Sequence, residues 1–469
     1  MAGVAARGHG PAVFAACAGL GIAMGVGYLV WQADPAWSLS AGLLLSPFSG
    51  NWDQVGLPKV LAPDRIVLLI ALGAILLRAP GSRGRPPLRL RPVHWVLVVA
   101  IAYVTASAAA SGTLLTTSSL AQLVENFGVI PFLLFLCAPA AFGSDRQRRV
   151  LLAALVILGA YLGVVALLET LGADSLIYPR YITDPNVGIL PDRARGPFVE
   201  PATFGVALFT CAGACVVAWR AWPRPHIRLA LVAIGLLCTA GLLFTLTRQV
   251  WLASVVAAVL VAIAVPHFRR YLLPAALVCA AGVALLLATV PDLSTKVAER
   301  RAQQGTVWDR LNLNRAAVNA IEDRPLFGVG WDSWTKKNID YFEQSPNYPL
   351  TAVTGGPVHN VFLAYGAQIG LIGLTLWVAG MLIGVCGTLM RRGPPEIQPW
   401  RAFLLGVFAF FLVVANFEFV QVFPNLIVWL LAGVVAAPAF WLERDVARQS
   451  AAPAGDSGRW ELGLAGGRS

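Results

Sequence analysis

The chain has 469 residues, of which 57% are hydrophobic and only 13% carry a charged side chain. A soluble domain carries roughly a quarter charged residues, so this composition excludes an ordinary soluble protein. The net charge of +11 does not indicate a nucleic-acid partner, because the basic residues lie in short segments between apolar stretches, where membrane proteins keep them.

Apolar stretches long enough to cross a bilayer recur along the chain and predict about twelve transmembrane helices in an all-α, polytopic membrane helix bundle. In chain order, the predicted spans are 11–31, 61–77, 93–110, 122–142, 150–171, 201–219, 229–245, 249–265, 271–290, 359–389, 401–416 and 421–441. The first stretch is too long for a cleavable signal peptide, and 39–46 is too short to span, so we interpret it as a loop or interfacial turn. We predict one transmembrane domain over 1–448 and a disordered cytoplasmic tail, rich in Ala, Gly and Ser, over 449–469.

The Lys and Arg residues alternate across the loops, so that every second loop is basic. By the positive-inside rule, these loops and both termini lie in the cytoplasm. The extracytoplasmic face then carries one long loop over 291–358. Within it, Trp308, Leu311, Val318 and Ile321 predict a short amphipathic helix over 307–321 that lies on the membrane surface or caps the bundle.

His359 is the one histidine that this threading places on the extracytoplasmic face, where the long loop re-enters the membrane. The ordinary pKa of histidine lies near working pH, so His359 is a candidate general base. The alternative is a helix-capping residue at the membrane interface.

Arg248 lies in a tight extracytoplasmic turn between two predicted spans. A charge held so close to the hydrocarbon is costly, which makes Arg248 a candidate functional residue. The alternative is an anchor to the lipid headgroups.

Arg195 lies just before the predicted span at 201–219, and the adjacent Gly196 allows the backbone to come close to a ligand. Arg180 and Arg193 are equally basic neighbours, and the sequence excludes neither of them.

Two arginines and a histidine on one face suit an anionic substrate at the membrane surface. Arginine binds a diphosphate through two parallel hydrogen bonds and stays charged, so it also stabilises a diphosphate leaving group. No acidic cluster on this face has the spacing of metal ligands, and all seven cysteines lie in apolar stretches. We therefore expect neither a metal nor a cofactor.

Four short motifs resemble those of the O-antigen ligase and polymerase superfamily. The fullest match is to the histidine motif H-[NSQ]-x9-G-x-x-[GTY], which runs here from His359 to Gly373. Pro-Leu-Phe-Gly-Val-Gly at 325–330, Thr-Arg at 247–248 and Arg-Gly-Pro-Phe at 195–198 also resemble motifs of this family. The resemblance covers 193–373 motif by motif, and the whole chain in the number of spans and placement of loops.

The resemblance implies that a glycan is transferred from undecaprenyl diphosphate to an acceptor sugar hydroxyl, with inversion and without a metal. The reaction would occur on the outer face of the bacterial inner membrane, and the acceptor would be a glycan or lipid A–core. It further implies that Arg195 and Arg248 bind the diphosphate, and that His359 activates or orients the acceptor. Additional substrate-binding candidates are Arg193, Glu200, Asn360, Arg310 and Gly330.

Two departures from the family pattern lie beside the proposed donor site. Gln249 follows Arg248 where related turns have Gly or Ala, and Glu200 stands where many members have Asn. Glu200 could steer Arg195 or act as a second base.

The motifs do not separate a ligase from a repeat-unit polymerase, because donor chemistry is common to both. A secondary transporter or a flippase for lipid-linked glycans is an alternative of a different class. Such proteins often have two related halves with charges at the membrane midplane, whereas the candidate residues here lie at one face.

Overall fold

The computed structural model describes residues 24–57, 62–78, 90–289, 294–295, 297–298, 305–347, 356–391, 393–418 and 422–451. Most of the predicted first span and the tail beyond residue 451 lie outside the described residues. Residues 449–451, which we assigned to a disordered tail, continue the last helix.

Every regular element among the described residues is helical. In chain order the principal α-helices are α1 (24–32), α2 (Pro35–Leu45), α3 (Pro63–Arg78), α4 (Pro92–Ala110), α5 (Thr117–Ala121), α6 (Val129–Ala141), α7 (Asp145–Leu171), α8 (Pro201–Ala221), α9 (Pro225–Phe244), α10 (Arg248–Ala264), α11 (Pro266–Thr289), α12 (Gly305–Asp323), α13 (Trp334–Lys337), α14 (Val361–Met381), α15 (Gly387–Met390), α16 (Gln398–Ala415) and α17 (Val422–Ala451). Two π-helical turns extend this set, at Gln122–Phe127 and Leu382–Cys386. Short 3-10 helices lie at Ser46–Val55, Asp174–Leu176, Arg180–Thr183, Gly196–Phe198, Asn338–Tyr341 and Pro395–Ile397.

Within the part of the chain that the structure describes, 7 helical stretches are long and apolar enough to span a membrane. They are Pro92–Ala110, Thr117–Ala141, Asp145–Leu171, Pro201–Ala221, Pro225–Phe244, Val361–Met390 and Pro395–Ala415. Shorter apolar helices lie at Arg248–Ala264, Ala280–Thr289 and Val422–Ala437. The all-α polytopic membrane fold is therefore confirmed, while the count of about twelve spans stays a prediction.

Helix α2 contradicts the loop or interfacial turn predicted at 39–46. The carboxylate of Asp34 accepts the backbone N–H of Ala36 at 2.9 Å, and Pro35 occupies the first turn, so the helix start is well capped. Leu39 and Leu43 are buried, and α2 packs against α3 and α7. The segment is too short to span, but burial inside the bundle stabilises it as a helix.

Helix α12 lies where the sequence predicts a helix at 307–321, and part of the predicted apolar face packs against the bundle. Of the apolar residues that indicated this helix, Ile321 packs against the cluster between α12 and α14, whereas Leu311 is exposed. The buried face also carries Ala316, Ala317 and Ala320, which form one cluster with Ala364 of α14. Small side chains allow the two helices to approach closely, so α12 caps the bundle through its alanines.

Helix α14 is broken at Gly370, whereas the sequence predicted a continuous span at 359–389. Gly370 has φ 65° and ψ −177°, a conformation that is essentially restricted to glycine. The backbone groups released by the break are satisfied by the stretch 325–330, which runs alongside it. These hydrogen bonds run from Leu371 N to Pro325 O (2.7 Å), from Val329 N to Ala367 O (2.8 Å) and from Gly330 N to Gln368 O (2.9 Å).

Helices α8, α10 and α16 bring the candidate residues to one end of the bundle. Helix α16 packs against both α10 and α8. The end of α16 lies beside the beginnings of the other two helices, because Gln249 at the start of α10 bonds to Glu418 just after α16. Phe423, at the start of α17, also packs against Phe198 just before α8, with ring centroids 5.5 Å apart.

Candidate active site

Asn360 fixes the position of His359 at the start of α14. The side-chain oxygen of Asn360 accepts the backbone N–H groups of Phe362 and Leu363, both at 3.0 Å, and so caps the helix. Its amide nitrogen donates to the carbonyl of Asn416 at 3.4 Å, which ties this cap to the turn after α16. The candidate substrate-binding role of Asn360 stays a prediction, because the contacts described here are structural.

His359 forms a hydrogen-bonded pair with Glu418. The Nδ1 atom of His359 lies 3.1 Å from Oε1 of Glu418. The Glu418 residue is only 4% exposed, whereas the His359 side chain is 22% exposed. One member of the pair is therefore buried, and the other is within reach of a substrate.

The charge on Glu418 determines which nitrogen of His359 carries the proton. Burial alone would raise the pKa of Glu418. The hydrogen bond from His359 and the positive charges of His359 and Arg310 outweigh burial, and the pKa lies below its ordinary value. An ionised carboxylate only accepts hydrogen bonds, so in the neutral form of His359 the Nδ1 atom is the donor and Nε2 carries the lone pair. This is the tautomer that a general base requires.

Gln249 and Arg310 complete the surroundings of Glu418. The amide nitrogen of Gln249 donates to Oε2 of Glu418 at 2.9 Å, and its amide oxygen accepts a hydrogen bond from Arg310 at 3.0 Å. The guanidinium of Arg310 also lies 3.6 Å from Oε2 of Glu418. Arg310, predicted as a substrate-binding residue, therefore lies beside the His359–Glu418 pair.

Arg193 and Arg248 flank the same turn. Arg248 is the first residue of α10 and is exposed, and Thr247 is the residue that precedes the helix. The guanidinium of Arg193 donates to the hydroxyl of Thr247 at 3.4 Å, and the N–H of Ala194 donates to the carbonyl of Phe244 at 3.2 Å. Two arginines and the positive end of the α10 dipole thus favour an anion at this turn.

Arg195 has a different environment from Arg193, although only one residue separates them. Arg195 is 1% exposed. Its guanidinium donates to three backbone carbonyls of the preceding loop, those of Ile182 (3.0 Å), Asp184 (2.6 Å) and Val187 (2.6 Å). The carboxylate of Glu169 also accepts the N–H of Gly196 at 3.0 Å. In this arrangement Arg195 holds the loop together, and its contact with a diphosphate stays a prediction that the geometry does not favour.

Glu200 caps helix α8 rather than pairing with Arg195. Its two carboxylate oxygens accept the backbone N–H groups of Ala202 at 2.8 Å and Thr203 at 2.6 Å. Burial raises the pKa of Glu200, and the negative charge of Glu418 raises it further. Glu200 therefore belongs to the electrostatic surroundings of the His359–Glu418 pair, and its role toward a substrate stays a prediction.

Gly330 serves the packing around the break in α14. It has φ 107°, and a Cβ atom on this residue would overlap the hydroxyl oxygen of Ser111. Its contacts with Ser111 and Gln368 explain the glycine without a ligand. The predicted substrate-binding role of Gly330 stays untested.

Glu418 and Gln249 are the two residues whose place in the site the sequence reasoning did not predict. Glu418 lies in a short turn between two apolar helices, where an ionisable residue is costly and could have been noticed. Gln249 was visible as a departure from the family motif, but its partner lies 169 residues away in the chain. Among the residues that the structure describes, no group of three or more His, Cys, Asp or Glu side chains is arranged to hold a metal ion.

The fold and the site define a polytopic α-helical membrane protein in which a carboxylate orients a histidine beside a turn flanked by arginines. Residues 233–378 match a family described as O-antigen ligase. This match confirms the resemblance seen in the motifs for that part of the chain. Members of the family are glycosyltransferase-type enzymes of O-antigen biosynthesis. Comparison with curated proteins gives no match.

The matched region contains Arg248, Gln249, Arg310 and His359. Arg193 and Glu418 lie outside it. Arg193 is a candidate from the sequence that the geometry connects to the Arg248 turn, whereas Glu418 is connected to the site by the geometry alone.

Proposed function

We propose that the protein is a membrane glycosyltransferase that transfers a glycan from undecaprenyl diphosphate to a sugar hydroxyl, in the manner of an O-antigen ligase. The observation that carries the proposal is the His359–Glu418 pair, linked through Gln249 to the turn flanked by Arg193 and Arg248. This arrangement places a general base next to cations suited to a diphosphate.

In the proposed reaction, Nε2 of His359 removes the proton of the acceptor hydroxyl. The oxygen attacks the anomeric carbon from the side opposite the diphosphate, so a glycosidic bond forms as the bond to the phosphate oxygen breaks, with inversion. The proton stays on His359, where the anionic Glu418 stabilises the imidazolium. A positioned general base contributes about 10²- to 10⁴-fold in rate.

Arg248 and Arg193 would stabilise the negative charge that develops on the departing undecaprenyl diphosphate. Their guanidinium groups supply this charge at all working pH values, and the chemistry then needs neither a metal nor a cofactor. Arg195 would act indirectly, by holding the loop that carries Arg193.

The proposed location is the outer face of the bacterial inner membrane, with both termini in the cytoplasm. Helix α9 supports this orientation, because its start lies among Arg224 and Arg228 and its end lies at the candidate site. Its 20 residues extend about 30 Å, which is the thickness of the hydrocarbon core. The basic end then faces the cytoplasm and the site faces outward.

Complementation of a deletion strain tests the proposal, with surface and lipid-linked glycans separated on gels. We expect His359→Ala to accumulate at a normal level in the membrane but to abolish transfer. His226→Ala is the matched control, because His226 is exposed at the opposite end of α9. Full glycan transfer by His359→Ala would refute the mechanism.

The same gels distinguish a ligase from a repeat-unit polymerase. Polymer that remains on the lipid carrier in the deletion strain, with none on lipid A–core, indicates a ligase. Accumulation of single repeat units indicates a repeat-unit polymerase.

A further inference from the structure

We propose that Gln249 is a positioning residue that couples the Arg248 turn to the His359–Glu418 pair and to helix α12 of the long loop. This inference rests on the proposed function, because it assigns a role within that reaction. Gln249 follows Arg248 directly in the chain, and its amide contacts both Glu418 and Arg310.

The hydrogen bonds of Gln249 can be satisfied in only one orientation of its amide. The NH₂ group must face Glu418, which only accepts hydrogen bonds, and the oxygen must face Arg310, which only donates them. A flipped amide would bring two acceptors together on one side and two donors on the other. Gln249 therefore links an anion and a cation that come from distant parts of the chain.

The hydrogen bond from Gln249 also orients the Glu418 carboxylate toward His359. Gln249 holds Oε2 of Glu418, which leaves Oε1 turned toward Nδ1 of His359. Without the amide, the carboxylate could rotate toward Arg310, whose guanidinium already lies 3.6 Å away. His359 would then lose the acceptor that fixes its orientation and tautomer.

The bond to Arg310 extends the coupling to the long loop. Helix α12 is attached to α14 by the small residues of its second half, such as Ala317 and Ala320. Its first half contains Arg310, which reaches Gln249 and Glu418. Gln249 thus keeps helix α12 of the long loop in register with the turn proposed to bind the donor. A Gly or Ala at this position has no side chain that could form the bridge.

Kinetics of the purified protein in nanodiscs test the role, with lipid-linked donor and acceptor extracted from the deletion strain. We expect Gln249→Leu to lower kcat about 10- to 100-fold, the effect of losing a hydrogen bond to a charged group, with little change in the KM for donor. The matched control is Gln122→Leu, which removes an equivalent amide-to-carboxylate bond of 2.8 Å, to Asp332. The control should keep its kcat.

An exchange of the two side chains provides the decisive comparison. In Glu418→Gln alone, the new amide cannot satisfy His359 and Gln249 together. Adding Gln249→Glu restores every bond. The amide at position 418 would accept a hydrogen bond from His359 and donate one to the carboxylate at position 249. That carboxylate would in turn pair with Arg310. We expect the kcat of the double variant to be about tenfold higher than that of Glu418→Gln. The negative charge then lies on residue 249 instead of on residue 418, which contacts His359.

Two kinetic results would overturn the inference. The first is a Gln249→Leu variant with a raised KM and an unchanged kcat, which would make Gln249 a donor-site residue. The second is a double variant no faster than Glu418→Gln, which would reduce Gln249 to a packing residue.

Hydrogen–deuterium exchange tests the coupling without reference to any reaction. Gln249→Leu should increase uptake in the first turns of α12 and in the turn at 416–418, and Gln122→Leu should not. Unchanged uptake would refute the role of Gln249 while leaving the proposed function intact. Absence of transfer by the wild-type protein, with the uptake changes present, would refute the proposed function and leave the coupling as a structural fact.

Discussion

Substitution of Gly370 by alanine tests whether the break in α14 is needed to build the site. Gly370 has φ 65° and ψ −177°. An added Cβ atom would overlap the carbonyl group of Leu326 and lie 2.6 Å from the backbone nitrogen of Phe327. These are backbone atoms, so no change of rotamer can relieve the overlap.

The expected cost follows from two contributions. Holding a residue other than glycine in this conformation costs about 1–3 kcal/mol. Displacing the 325–330 stretch weakens three backbone hydrogen bonds, each worth about 0.5–1.5 kcal/mol. The total of about 2.5–7.5 kcal/mol is a large part of the roughly 5–15 kcal/mol that typically stabilises a domain.

We expect Gly370→Ala to lower the melting temperature of the detergent-purified protein strongly and to abolish transfer in complementation. The half-helix that carries His359 at its start can no longer be positioned against the 325–330 stretch. Gly282→Ala is the matched control, because nothing lies within 4 Å of the added Cβ atom. If the two variants have the same melting temperature and transfer glycan equally, the break in α14 is not needed to build the site.

Three further predictions concern the residues around the site. Arg193→Ala should raise the KM for donor at least tenfold, since it removes the proposed bidentate contact with a diphosphate. Arg180→Ala in the same loop should leave this KM unchanged in the same kinetic assay. Arg195→Lys should destabilise the loop, because one ammonium cannot reach three carbonyls in the planar geometry of a guanidinium. Proteolysis of the purified protein at residues 180–195 should become faster. Unchanged cleavage would argue against the structural role of Arg195. Burial raises the pKa of Glu200 in the folded protein, so between the ordinary and the raised value the native state binds more protons and stability falls as pH rises. Glu200→Gln should therefore flatten the decline of melting temperature between about pH 4.5 and pH 7, and an unaltered slope would show that another group is responsible.

Local composition determined the class of this protein. A spanning helix requires a long apolar stretch, because its backbone groups must bond within the segment, and such stretches are visible without a structure. His359 is also recognisable without a structure, because a histidine and an asparagine precede an apolar helix within a matched motif. The short α2 was missed, since its helical state depends on burial against α3 and α7.

Patterns within neighbouring residues are enough to predict an all-α membrane bundle, the catalytic candidate His359 and the arginine turn at Arg248. The pairing of side chains from distant parts of the chain depends on the folded packing and is not visible in such patterns. Glu418 lies 59 residues from His359 in the chain, and no local pattern pairs them. The same packing separates Arg193 from the buried Arg195, because a loop folded around a guanidinium determines exposure, and residue type alone does not.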